Sequence, residues 1–358
     1  MPSARRPKPS ARSPMPPALR PGIASKLPPM RIAIVGAGGM GNVHARHHRN
    51  IPNSEARVFD VDSEKADAVA ERWSLGRLSS FEEALSWADI VDVCVPTPLH
   101  LDLGLKVVAR GKALLMEKPL AGNVADSAKL IEAAAKAGVP LMPAHVVRYF
   151  PEFRKGHDVV AAGGVGKPAA ARTRRGGGMP KGAGLWFSDY DQSGGALLDL
   201  AIHDFDWLRW TLGEVRSVFA RSVGIQNGGG PDYALTTLAF DSGAVAHVEA
   251  TWMDPSGFRT SFEVCGDGGM IEYDSRLVPT LKAHRANDDG SLMSSAAEGP
   301  LDSADDPYYG ELSGFVEAVR SGSPPPISGH DGLMAVAIAE AAIESAKTGK
   351  VVSPARHV

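Results

Sequence analysis

The sequence predicts an α/β protein: an N-terminal doubly wound parallel sheet of the Rossmann type, followed by a C-terminal α+β unit with a largely antiparallel, open sheet. Three observations predict it. The apolar run 31–35 breaks into a glycine-rich turn and then a helical stretch. Short apolar runs and helical stretches go on alternating to about residue 144. Past Pro151 the alternation stops and strand-like runs follow one another directly. Alternating β and α elements give a parallel sheet covered by helices, and runs of consecutive strands give antiparallel pairing. With 358 residues, 44% hydrophobic and 22% charged, the chain has the length and composition of two ordinary globular domains. The expected division is 1–29 as a disordered leader, 30–147 as the first domain and 148–358 as the second.

The leader holds nine of the 27 prolines, six basic residues and no acidic one. Arg5 and Arg6 are not followed by an apolar stretch of signal-peptide length, so disorder is expected rather than export, and Met30 stands as an alternative start. The formal net charge of −3 gives no support to a nucleic-acid partner. No apolar run reaches the roughly 18 residues of a membrane span. Two cysteines, Cys94 and Cys265, are too few for a disulfide framework or a cysteine-based metal site. A soluble, cytoplasmic protein is expected.

The first strand, 31–35, enters Gly36-Ala37-Gly38-Gly39-Met40-Gly41 and a helix from about Asn42. Gly36 allows the tight turn, Gly38 lets backbone amides approach a pyrophosphate, and Gly41 lets helix and strand pack closely. The helix N-terminus then faces the phosphates. A second strand, 56–59, ends at Asp60, 19 residues past Gly41 and close to the offset of about 20 for the carboxylate that grips a ribose diol. That carboxylate repels a 2′-phosphate, and Arg57 lies inside the strand, so NAD is favoured over NADP. A helix over 63–73, a strand near 77–78, a helix near 81–87, a strand over 90–95 and the turn Pro96-Thr97-Pro98-Leu99-His100 continue the alternation. Then come a helix over 101–110, a strand over 113–116, Glu117-Lys118-Pro119, a helix over 124–137 and a strand over 139–144. Ligands of such sheets bind beyond the C-terminal strand ends, where Asp60, Thr97, His100 and Lys118 fall.

In the second domain strands are expected near 168–174, 215–225, 233–240, 244–253, 258–265 and 269–273, with helices near 308–320 and 332–347. Thr236, Leu238 and Phe240, then Val245, His247 and Glu249, alternate in a way that suggests one covered and one exposed face. The segment 287–306 lacks periodicity and is expected to be a surface loop.

Four pieces in order now carry a resemblance. Gly36-Ala37-Gly38-Gly39-Met40-Gly41, Thr97-Pro98-Leu99-His100, Glu117-Lys118-Pro119 and the run from Ser193 to Asp206, with Asp199 and His203 inside it, resemble the Gfo/Idh/MocA family of NAD(P)-dependent oxidoreductases, which includes glucose-fructose oxidoreductase and inositol dehydrogenase. The resemblance implies that Glu117-Lys118-Pro119 lies beside the nicotinamide, often with unusual peptide geometry at the proline, and that Lys118 faces the substrate. It also implies cofactor contacts from Gly36, Gly38, Gly39, Met40, Gly41, Asp60, Thr97, Pro98, His100 and Glu117. The exposed face of the second sheet is expected to pack on another subunit, giving a homodimer or homotetramer.

A lysine at a strand end in such a cleft can donate to a substrate oxygen, and desolvation lowers its pKa. Asp199 and His203 are spaced i, i+4, so on one helix their side chains would meet, the carboxylate fixing the ring. By spacing alone this pattern also fits a metal site or a capped helix-interior histidine. Which of Lys118 and His203 accepts the proton stays open. His44, His47 and His48 have no carboxylate or cysteine beside them in the sequence, so no metal is expected. Arg148 begins a motif that reaches the substrate in some relatives, and Trp186 and Tyr190 could wall a sugar ring by stacking. Arg172, Arg174 and Arg175 read as solvated or structural charges, with a mobile loop over the cleft as the alternative. The expected activity is hydride transfer between nicotinamide and a secondary or anomeric hydroxyl of a sugar, inositol or related polyol. The alternatives are an NAD-dependent glycoside hydrolase with an internal redox cycle and a non-catalytic dinucleotide or sugar sensor.

Overall fold

The computed structural model describes residues 28–178, 189–224, 233–277, 282–286, 292–296 and 306–356. Residues 1–27 of the expected leader and Trp186 lie outside the described residues. The first half runs β1 (Met30–Val35), α1 (Gly39–His48), β2 (Ser54–Phe59), α2 (Ser63–Trp73), β3 (Gly76–Arg77), α3 (Phe81–Trp87), β4 (Ile90–Val93), α4 (His100–Ala109), β5 (Ala113–Glu117), α5 (Val124–Ala137) and β6 (Leu141–Ala144). Side chains of Asp62, Ser80 and Asn123 accept from free N–H groups at the starts of α2, α3 and α5, which sets those starts. Gly138, at φ 66°, ends α5 in the left-handed region. Every residue of β4 and β5 is buried, as expected of parallel strands covered on both faces.

These strands form one parallel sheet in the order β3-β2-β1-β4-β5-β6. The strand order reverses between β1 and β4, and the crevice beyond their C-terminal ends is where such sheets hold ligands. Val35 lies level with Phe59 on one side and Val93 on the other. Gly36, Asp60 and Cys94 therefore emerge together.

The second half runs α6 (Pro151–Ala161), β7 (Pro168–Gly176), α7 (Tyr190–Ser193), a π-helical turn over Ala196–Leu200, α8 (Ile202–Leu212), β8 (Val215–Val223), β9 (Tyr233–Phe240), β10 (Val245–Thr251), β11 (Arg259–Gly266), β12 (Gly269–Asp274), β13 (Lys282–Ala286), β14 (Leu292–Ala296), α9 (Pro307–Ser321) and α10 (Gly329–Thr348). A mixed sheet has the order β12-β11-β7-β10-β9-β8, antiparallel except for β7 beside β10. Ala234, Thr236, Leu238, Phe240, Ala246, Val248 and Ala250 are buried in the core that also holds Phe205 and Leu208 of α8 and Val336 and Ile338 of α10. Leu235, Val245 and His247 point outward.

Two expectations are corrected here. Residues 292–296 are strand β14, paired antiparallel with β13, because cross-strand pairing supplies the order that local periodicity lacks. The sequence reading also placed no helix over α6, although Pro151 in its first turn and Phe153, Gly156 and Val160 on its buried side form an amphipathic pattern.

The chain end returns to the first sheet. Leu312, Phe315 and Val316 of α9 and Ile327 share a core with Ile32, Ile34, Val58 and Ile90, and burying a side chain such as Phe315 contributes roughly 1.5–3 kcal/mol. Among the described residues no helix is long and apolar enough to cross a membrane.

Candidate active site

The glycine turn closes on its own strand. Gly36 has φ +105°, and a Cβ there would lie 2.5 Å from the Cys94 carbonyl oxygen. A Cβ on Gly41 would lie 1.8 Å from the Gly36 carbonyl oxygen, so only glycine allows α1 to rise this close to β1. Gly38 is different: nothing lies within 4 Å of its would-be Cβ, and with Gly39 it is exposed at the start of α1. That open, amide-lined space fits a pyrophosphate. Asp60 accepts from the Ala37 N–H at 2.6 Å and the Asp62 N–H at 2.8 Å, which leaves carboxylate lone pairs for a ribose diol. Arg57 pairs with Glu55 and stacks over Trp87, so its charge is engaged away from a 2′-phosphate. The donor set fits NAD.

Glu117 ends β5 and Lys118 follows it into a cis Lys118–Pro119 peptide. Lys118 Nζ donates to Asp199 Oδ1 at 2.8 Å and to the Asp199 carbonyl at 2.7 Å. The lysine side chain is 16% exposed and the aspartate 7%. This contact joins the C-terminal end of β5 to the π-helical turn. The turn starts from Gly194 and Gly195, both at positive φ, and places Asp199 outside α8, in which His203 sits. The expected Asp199–His203 pair on one helix face is thereby corrected: the carboxylate serves Lys118, and His203 Nδ1 is buried without a hydrogen-bond partner. Burial, followed by the charges of Lys118, Arg175 and His145, holds His203 well below the usual histidine range. It is a neutral imidazole at neutral pH. Lys118, Asp199 and His203 are thus brought together.

Other expected residues are held by the scaffold. His100 Nδ1 is 2.8 Å from the Pro119 carbonyl and Nε2 is 2.9 Å from the Val95 carbonyl, and burial pushes its pKa down despite them. It pins the Lys118–Pro119 turn from behind, so its ring nitrogens are engaged by backbone rather than free for the nicotinamide. Thr97 is buried and, with Pro98, forms a short 3₁₀ turn. Arg148, expected at the substrate, donates from Nε and Nη2 to the two oxygens of Asp206 at 2.7 and 2.6 Å and also faces Asp331 at 3.3 Å. Its fork ties three segments together. The Lys347 ammonium stands 5.5 Å over the Tyr190 ring. Arg174 pairs with Glu249 and Asp254, and Arg175 is buried against Asp204, which is the structural reading of those charges.

Two groups were not anticipated. His145, just after β6, is fully buried with neither ring nitrogen hydrogen-bonded, and burial lowers its pKa. It also bears electrostatically on His203. The second is a cluster behind the glycine turn. His44 Nδ1 and His48 Nε2 each lie 2.8 Å from Asp92 Oδ2. Cys94 Sγ is 3.3 Å from His44 Nδ1 and 3.4 Å from Asp92 Oδ1, and His44 Nε2 is 3.1 Å from Glu117 Oε1. The expectation that no carboxylate or cysteine accompanies these histidines is corrected: β4 brings both from a distant part of the chain. The donors of His44, Asp92 and Cys94 lie within 4.8 Å of one another, at distances that hydrogen bonding between them explains.

A dinucleotide turn on a doubly wound parallel sheet, with an ammonium and a neutral imidazole at its open edge, defines an NAD-dependent oxidoreductase. Residues 30–145 match the model of the oxidoreductase family with an NAD-binding Rossmann fold, and residues 153–272 match the GFO/IDH/MocA C-terminal domain. The chain belongs to the Gfo/Idh/MocA family. It is 32% identical to the myo-inositol 2-dehydrogenase of Thermotoga maritima over 88% of this chain and 96% of that protein. It is 29% identical to the scyllo-inositol 2-dehydrogenase (NAD(+)) of Bacillus subtilis over 89% of this chain and 95% of that one. Among solved structures, GenD2 from gentamicin A biosynthesis in complex with NAD superposes with TM-score 0.82 at 26% identity, covering 92% of this chain and 97% of that one. A probable dehydrogenase from Thermotoga maritima gives TM-score 0.79 at 30% identity over 90% and 98%.

Proposed function

We propose that this enzyme oxidises a secondary or anomeric hydroxyl of a sugar, inositol or related polyol, with NAD as the acceptor. The observation that carries the reading is the Lys118–Asp199 contact at 2.8 Å beside an imidazole held neutral. Bound NAD would supply the hydride acceptor for oxidation at the carbinol carbon. Gly38 and Gly39 would receive the pyrophosphate in a turn completed by Gly36, Met40 and Gly41, Asp60 would hold the adenosine ribose, and Thr97, Pro98, His100 and Glu117 would shape the nicotinamide end. Lys118 donates a hydrogen bond to the substrate oxygen, and Asp199 keeps the ammonium aimed at it. His203 takes the hydroxyl proton as the C–H bond breaks, so the alcohol loses one proton and one hydride and leaves as a carbonyl compound.

Relatives named for inositols support the substrate class. A screen of sugars, inositols and sugar acids, read at the NADH absorbance band, tests it: formation of NADH with one of them is expected, and none with any of them refutes the reading. The outer face of the second sheet supports a homo-oligomer. It exposes Leu235, Val245 and Met270 around a cavity of about 710 Å³ lined by Arg172, Arg174, His247, Glu249 and Glu272 among others. Light scattering on the purified protein is expected to give a dimer or tetramer. We infer a cytoplasmic enzyme, a reading supported by its free Cys94 and Cys265, which a reducing compartment keeps as thiols; cell fractionation tests it.

A further inference from the structure

His44 lies on α1, the helix that starts at the glycine turn, four residues before His48 on the same face. Its ring has no exposure. One nitrogen meets Asp92 at 2.8 Å and the other faces Glu117 Oε1 at 3.1 Å. The second Glu117 oxygen, Oε2, accepts the backbone N–H of Lys118 at 2.9 Å. A chain of polar contacts thus runs from β4 through α1 to the residue that carries the proposed chemistry, its His44–Glu117 link being an ion-pair contact, since His44 Nε2 makes no hydrogen bond. Also around the ring are His48 and Cys94, the Tyr308 ring at 6.4 Å, and Glu311 of α9, with the His47 side chain near enough to feel its charge. Glu311 is fully buried with neither oxygen hydrogen-bonded, and burial pushes its carboxyl well up.

An apolar plug would fill this volume at equal or lower cost, since replacing buried ion pairs by well-packed hydrophobic residues is often neutral or stabilising. Buried charged groups held in contact do something else: they fix one arrangement of the elements they join, even though His44 Nε2 and His48 Nδ1 make no hydrogen bond of their own. Here the joined elements are the helix that receives the dinucleotide and the turn that holds Lys118.

We propose that His44 is a positioning residue for Lys118: its ring, held between Asp92 and Glu117, keeps the Glu117 carboxylate on the Lys118 backbone N–H and so locks the lysine turn to the dinucleotide helix. The inference rests on the reading of Lys118 as the group that meets the substrate oxygen. Misplacement of a reacting group by about 1 Å costs on the order of 100-fold in rate, and loss of this clamp is a displacement of that kind without loss of the lysine itself.

The test compares wild type with His44→Gln, whose side chain is too short to bridge both carboxylates, and with Glu117→Gln, which keeps an oxygen for the Lys118 N–H. Two readouts are taken on folded protein, checked by thermal melting. One is turnover and KM for the polyol found active. The other needs no substrate: the rate at which acetic anhydride labels Lys118, followed by peptide mass. His44→Gln is expected to lower kcat by about 10- to 100-fold with KM and NAD affinity nearly unchanged, and to speed labelling of Lys118 several-fold. The double variant is expected to be no worse than the poorer single one, as for members of one coupled unit. Wild-type kcat and wild-type labelling in a folded His44→Gln protein would overturn the proposal, as would strictly additive losses. So would stoichiometric zinc in the purified protein that disappears in His44→Gln, since the ring would then be a ligand. If wild type turns over no polyol, the functional reading fails, while the labelling comparison still decides the role of His44.

Discussion

Asp92→Asn removes the negative charge at the centre of the buried cluster and leaves two histidines of α1 facing an amide. In the wild-type protein Asp92 Oδ2 lies 2.8 Å from both rings, with no exposure on either side of either contact. Removing one partner of a buried pair costs about 3–5 kcal/mol, and a folding unit of 150–250 residues loses about 2–4 °C per kcal/mol. The expected fall in melting temperature is therefore roughly 6–20 °C. Its pH dependence follows from two opposite shifts. Burial raises the Asp92 pKa, but His44 and His48 outweigh it and hold the carboxyl well below its usual range. Its contribution is present above about pH 4 and is lost as pH falls through the folded-state value. Burial lowers the His44 pKa, but Asp92 and Cys94 outweigh it and hold the ring well above its usual range. That contribution is complete below about pH 6.5 and is lost as pH rises through the folded-state value. The gap between wild type and variant is therefore widest from about pH 4 to about pH 6.5, and above that it shrinks by about 1.4 kcal/mol per pH unit until His44 has titrated. Thermal melts of both proteins by circular dichroism from about pH 5 to about pH 9 measure it. Equal melting near pH 6, or a gap that stays constant from there to pH 8, would refute the reasoning.

Three further outcomes concern the reaction. Lys118→Ala is expected to lower turnover by about 10²- to 10³-fold, the scale of losing one donor to the reacting oxygen, while calorimetry still detects NAD binding; unchanged turnover would remove the lysine from the mechanism. Asp60→Ala is expected to weaken NAD by about 10- to 100-fold, the scale of hydrogen bonds to a charged acceptor, and to weaken NADP much less; equal losses in titrations of the two dinucleotides would contradict the ribose assignment. The acid limb of kcat/KM is expected below about pH 6.5, because burial and the neighbouring Lys118 and Arg175 charges lower the His203 pKa and activity is lost only as pH falls through that lowered value. A limb above the ordinary histidine value would assign the base to another group.

The parts of this molecule that a reader of the sequence can see are those encoded within a few dozen residues. Gly36, Gly38, Gly41 and Asp60 form such a unit, because turn, close approach and strand end all depend on local spacing, and the strands of the first sheet follow from the same alternation. Lys118 is visible as a lysine at a strand end. Its partner is not: the i, i+4 spacing of Asp199 and His203 suggests a shared helix face, but two glycines at positive φ start a π-helical turn there and send the carboxylate 81 positions back to Lys118. The His44 cluster was hidden for a related reason. Asp92 lies 48 positions from His44, and only the register of β1 beside β4 sets the strand against the helix. Arg148 shows the converse, a motif residue whose guanidinium the tertiary fold engages with Asp206. A lone arginine carries no local mark that separates a substrate contact from a scaffold tie.

The return of α9 to the first sheet bears on how the protein is made. Ile32, Ile34 and Val58 share their core with Leu312, Phe315 and Val316, so an apolar face of the N-terminal sheet waits for residues synthesised near the end of translation. About 160 residues separate β6 from α9, which at ribosomal speeds of about 5–20 residues per second is a delay of roughly 8–30 s. During that interval the nascent chain carries a large unsealed hydrophobic surface, the kind of surface that chaperones recognise. A protein cut before α9 would keep that surface permanently, so the dinucleotide-binding half is not a free-standing module that can be excised at its last strand.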